Sequence, residues 1–278
     1  IGADIKPTAS DCVIDVTGLH IYPGLIDAGT TLGLTEIKKV KETSDHAEGG
    51  GLQPDLRAGV AINPDSELFP VARAGGITTA LVHASGGLIA GQSSLVRLAG
   101  WTAPEMVIDY EAGLKINWPA RGSDKQRQQQ VDTLRALLKQ ARVYRKLVAT
   151  AKADGRPGPI GDPRLEALAP YITGRRPVFI EAHTRRQIAE AMLFAEKEQM
   201  KLVITGGTNA WKLATHLKTR GIPVIVGPVM RRPLNEWDPS DAPYANPGLL
   251  HEAGVKFCIR SDDAPNSRNA PFEAAMAV

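Results

Sequence analysis

Apolar residues in this chain fall into short runs separated by longer amphipathic stretches. Eight runs read as strands: "LHIYPGLID" (19–27), "GGITTALVHA" (75–84), "SSLVRLAG" (93–100), "AGLKINW" (112–118), "RPVFIEAH" (176–183), "KLVITGG" (201–207), "IPVIVGP" (222–228) and "VKFCIRSD" (255–262). They are short and continuous, with little alternation, which suits parallel strands covered on both faces. The segments between them carry a helical period. In "SDKQRQQQVDTLRALLKQARVYRKLVATAKADG", Ser123 or Asp124 is the predicted N-cap, and the apolar stripe runs through Val131, Leu134, Leu138, Ala141 and Val148. "RRQIAEAMLFAEKEQM" and "TNAWKLATHLKTRG" are further amphipathic helices, the second capped by Thr208 or Asn209 and stopped at Gly221.

Strand and helix alternating eight times predict an α/β fold with a parallel sheet, closed into a (β/α)8 TIM barrel over residues 19–278. Residues 1–18 have strand character but precede the first barrel strand. They are expected to belong to a small N-terminal β-sandwich domain. The chain opens without Met, and "NAPFEAAMAV" ends inside a helical pattern, so the sequence reads as a fragment truncated in its last helix.

Composition narrows the picture in a few places. Hydrophobic residues make up 43% of the 278 residues, enough for a substantial core. No apolar run approaches the ~18–20 residues a membrane helix needs. A net charge of +3 with 5% aromatics argues against a nucleic-acid surface. Cys12 and Cys258, with no C-x-x-C, exclude a thiol zinc site or a disulfide framework. The glycine-rich "SGGLIAGQSS" (85–94) lacks the Gly-Lys-Ser/Thr of a phosphate loop and reads as a mobile loop. "GGTNAW" places backbone N–H groups at a helix start, a geometry that suits an anion but also describes any capped helix.

In a barrel of this kind the chemistry sits at the C-terminal ends of the strands. The residues there are Asp27 to Thr31, His83, Lys115, His183, Gly206 with Gly207, and Asp262 with Asp263. Histidine, lysine and aspartate converging on one mouth form an acid–base or metal-ligand inventory. His46, in the loop after the first strand, is a further candidate, whereas His20, His216 and His251 read as structural. Arg185, Arg186, Arg231, Arg232 and Arg260 would lie near the same mouth.

"IYPGLIDAGTTLGLTEI", "NPDSELFPVARAGGITTALV" (63–82), "IEAHTRRQI" (180–188) and "IRSDDAP" (259–265) resemble, in order, motifs of the amidohydrolase superfamily, most nearly its bacterial imidazolonepropionase-like members. The resemblance runs from about residue 11 to the end. It implies hydrolysis of a non-peptide C–N bond in a small amide substrate. The implied cofactor is a divalent metal, typically zinc, which supplies hydroxide near neutral pH. On this resemblance His183 matches the ligand after strand five, Asp262 the catalytic aspartate that also binds metal, and Lys115 the lysine of strand four. The two histidines of the family's first strand fall at Gly29 and Thr31, and the strand-six histidine falls at Gly206. Zinc catalysis normally uses three protein ligands plus water, so the retained set is short. His83 is the candidate substitute ligand, and Arg185 and Arg260 are candidate substrate contacts.

Two readings follow. One is a hydrolase with Asp262 as general base and a weak or rebuilt metal site at His183. The other is a non-catalytic binding or scaffold domain of a larger amidohydrolase-like protein, forming homo-oligomers or contacting flanking domains.

Overall fold

A computed structural model of the chain describes residues 5–277. Eight strands form one sheet in chain order: β1 (Leu25–Thr30), β2 (Ile77–Val82), β3 (Ile89–Arg97), β4 (Val107–Asn117), β5 (Val178–Ala182), β6 (Leu202–Gly206), β7 (Val224–Val226) and β8 (Phe257–Ile259). All eight predicted strands are present. The first is shifted: residues 19–24 are exposed and irregular, and β1 begins at Leu25. Residues 5–18 carry no strand, and residues 1–4 of the expected β-sandwich segment lie outside the described residues.

The sheet curls into a nearly closed eight-stranded barrel of the expected α/β class. β8 and β1 share no ladder. They meet instead through Asp262 N–H, which donates to Gly29 O at 2.9 Å, and through Asp27. The Asp27 carboxylate is fully buried. It accepts from Ser261 N at 3.0 Å and from Ser261 Oγ at 2.5 Å.

One expectation is corrected. The sheet is not wholly parallel, because β3 runs antiparallel to both β2 and β4. The connectors 83–88 and 98–106 are shorter than the dozen or so residues a parallel crossover requires. The chain therefore turns back on itself at Gly86 and Gly87, both at positive φ. The second half of "SGGLIAGQSS" is accordingly strand and not a mobile loop.

The helices cover the outside of the barrel. Helix Asp124–Ala153 starts at Ser123 with a full capping box to Gln126 and buries Val131, Leu134, Leu137, Leu138 and Ala141. Val148 is 39% exposed, because the apolar stripe outruns the sheet it packs on. Helix Arg185–Lys197 is capped in the same way by Thr184 and Gln187. The predicted helix after β6 is looser: residues Ala210–Leu213 are 3-10, and the α-helix proper spans Ala214–Thr219. Asn209 makes no cap there and instead donates to Asp238 at 3.4 Å. Among the described residues no helix is long and apolar enough to cross a membrane.

Inside the barrel, Ala28, Phe179 and Ile225 with Leu81 and Val203 form an apolar floor. Gly113 faces it, since a Cβ there would collide with the Phe179 ring. Two residues further along β4, β5 and β6 the same inward face carries Lys115, Glu181 and Thr205. The barrel therefore changes from oil to charge as it approaches its mouth.

Candidate functional site

A buried ion cluster occupies the mouth. Glu181, on β5, is its centre. Lys115 Nζ donates to Glu181 Oε2 and, at 3.1 Å, to Thr205 Oγ1, which itself donates to Oε2 at 2.8 Å. Arg260, just past β8, is 1% exposed and lays a two-pronged guanidinium on the same carboxylate, at 2.8 Å to Oε2 and 2.5 Å to Oε1. Its Nε donates to Gly227 O at 3.2 Å, and Nη2 lies 2.8 Å from Asp262 Oδ1. His183 Nε2 lies 2.8 Å from Glu181 Oε1, so it is the donor there, and Nδ1 lies 3.0 Å from Thr208 Oγ1.

The electrostatics follow from burial and pairing. Burial alone would raise the Glu181 carboxyl, but Arg260 and Lys115 outweigh it and hold it well below the usual glutamate range. Burial pulls Lys115 down, with Glu181 opposing. At Arg260 burial acts the same way, but Glu181 and Asp262 prevail and keep the guanidinium charged. His83 ends β2 and is buried. Burial first, then the neighbouring Lys115 and Arg260, depresses it far below the usual histidine value. Neither of its ring nitrogens has a partner, so it is a neutral imidazole facing two cations.

The glycines expected at ligand positions have physical reasons of their own. A Cβ at Gly29 would lie 2.9 Å from Arg260 Cδ and 3.5 Å from His83 Nε2, so the arginine stem fills the space a side chain would need. Gly206 adopts φ +82, and a Cβ there would meet Glu181 Oε1 at 2.6 Å. Thr31 Oγ1 accepts from Ala264 N at 3.2 Å and so supports the turn after β8. Asp262 is held at φ +76, uncommon for a non-glycine residue. Its side chain is 45% exposed.

The structure thus gathers Lys115, His183, Arg260 and Asp262 from four strand ends, with Gly29 and Gly206 beside them. Arg260, expected at a substrate, directs its donors inward. Arg185 is exposed and forms no ion pair among the described residues. His46 is tied to Thr35, 3.0 Å away within its own loop. The N–H groups of "GGTNAW" are largely taken, Gly207 N by Ala182 O, Asn209 N by His183 O and Trp211 N by Asn246 Oδ1, so that turn is not an open anion cradle. Sequence reading missed Glu181. Its signal was a lone carboxylate inside the buried strand "VFIEA", which demands a buried cation as partner.

A divalent metal does not fit this donor set. Among the described residues no three His, Cys, Asp or Glu side chains are placed to hold one. The central carboxylate already serves two cations, and a dication beside Lys115 and Arg260 would be repelled. A groove of ≈ 1380 Å³ opens nearby between Gly50, Gly86, Asn117 and Trp118, but none of the ion-cluster residues lines it.

No family model and no curated protein sequence matches this chain. Among solved structures, the crystal structure of an amidohydrolase from Thermotoga maritima MSB8 matches with a TM-score of 0.88 at 23% identity, over 100% of this chain and 75% of that one. The likeness is one of fold.

Proposed function

We propose that this chain is an amidohydrolase-type barrel, of imidazolonepropionase-like lineage by its motifs, that acts as a metal-independent binding domain and not as a metal-assisted hydrolase. The observation that carries the reading is the Lys115–Glu181–Arg260 cluster. It places two side-chain cations on the one central carboxylate, which leaves that carboxylate no free site for a dication, and it ties β4, β5 and β8 together across the mouth. What remains open to a ligand is the rim: His183, Asp262 and the arginines of the βα loops. The partner is a small molecule or a flanking domain.

A second reading keeps the hydrolase. It is favoured by Asp262, whose left-handed backbone and half-exposed carboxylate match a strained functional position. Asp262 would then act as general base on water, and His183 would orient the scissile amide.

Metal content of protein purified from zinc-supplemented medium, together with hydrolysis across a panel of cyclic and linear amides, decides between them. The expected result is far less than one zinc per chain and no turnover. Near-stoichiometric zinc lost on His183→Ala, or turnover abolished by Asp262→Asn, would establish the hydrolase instead.

A further inference from the structure

We propose that the mouth binds a small oxyanion, a carboxylate or phosphate group, with Arg231 as its anchor; this rests on the metal-independent reading above. Charge balance at the mouth leaves one cation over. Lys115 and Arg260 are answered by Glu181 and Asp262. Arg231, from the loop after β7, is part-buried, and among the described residues it forms no ion pair. Its partner is the Thr208 hydroxyl, 3.2 Å from Nη1, the same hydroxyl that meets His183 Nδ1. Burial works against its charge, with Asp262 partly opposing from beyond salt-bridge distance.

Two further acids of this region, Glu273 and Asp263, are engaged. Glu273, packed under the same loop, accepts from the backbone N–H groups of Val229 and Met230. Asp263 pairs with Lys38 at 3.0 Å. A half-desolvated guanidinium without a counter-ion is unfavourable. Its planar fork still offers donors matched to the two oxygens of a carboxylate or phosphate. His183, 29% exposed, lies on one side, linked through Thr208. Arg185, exposed and unpaired among the described residues, follows β5, two strands away in the sheet.

The test is titration of the full chain with inorganic phosphate and, separately, acetate, at constant ionic strength set with chloride, followed by calorimetry and by the thermal midpoint. At least one anion is expected to bind. Arg231→Met should weaken that binding about tenfold or more, the loss expected for a charge-assisted hydrogen-bond pair. Arg231→Lys, which keeps the charge without the fork, should fall in between, and it remains informative should the methionine variant fold poorly. A stronger response to phosphate assigns a phosphorylated ligand; a stronger response to acetate assigns a carboxylate. No binding of either anion, or unchanged affinity in both variants, overturns the inference. Zinc uptake by the same protein would instead overturn the metal-independent reading on which it rests.

Discussion

At the scale of single residues, the decisive features are a glutamate and a glycine. Among the described residues, Glu181 is the one carboxylate that Lys115 and Arg260 share. Glu181→Gln leaves both cations buried against a neutral amide, so the fold should lose about 3–5 kcal/mol at neutral pH, read from the urea midpoint. The pH dependence has a definite sign. The folded pKa is depressed, so the ion pairs stabilise the protein above the ordinary glutamate value, and that stability is lost as pH falls through the folded value. The gap between wild type and Glu181→Gln should therefore narrow below about pH 4. A constant gap would show that the carboxylate is not held in its charged form. Gly206 is the second case. Its left-handed backbone and the crowding by Glu181 and His183 mean that Gly206→Ala should cost more than about 2 kcal/mol. Gly158→Ala, with open space around it, should stay within about 0.5 kcal/mol in the same urea experiment. Gly206 thus stands where it does for a conformational reason.

At the scale of elements, the barrel is closed by a side chain and not by a ladder. Asp27 accepts from Ser261 N and Oγ and, at 3.2 Å, from Gly29 N, joining β8 to β1 where the backbone contributes the Asp262 N–H to Gly29 O bond but no ladder. Asp27→Ala should destabilise by about 1–3 kcal/mol, because buried donors lose their acceptor. Asp27→Asn keeps an acceptor and should be far milder. Burial raises the Asp27 pKa above the ordinary aspartate value, its hydrogen bonds opposing. The raised folded value means that stability linked to this group is present at low pH and falls as pH rises through the folded pKa. Thermal unfolding of Asp27→Asn should accordingly compare better with wild type at pH 8 than at pH 4. The reverse order would show that the charged form is the one the seam requires.

At the scale of the whole molecule, the order and class of the elements were legible along the chain. Hydrophobic period and cap residues are local, so Ser123 announced its helix, the amphipathic period announced the helix after β5, and the eight apolar runs announced their strands. The convergence of Lys115, His183 and Asp262 was legible too, because a barrel places its strand ends at one mouth. Other features were decided only in three dimensions. The reversal of β3 depends on connectors too short for a crossover, the seam on Asp27 finding Ser261 across the closure, and the mouth on which buried charges meet. The sequence by itself determined a strand–helix barrel whose strand ends carry Lys115, His183 and Asp262. The tertiary structure decided that Arg260 and Lys115 stand around Glu181 at the mouth, because pairing of buried charges depends on distances between strands that no local pattern encodes.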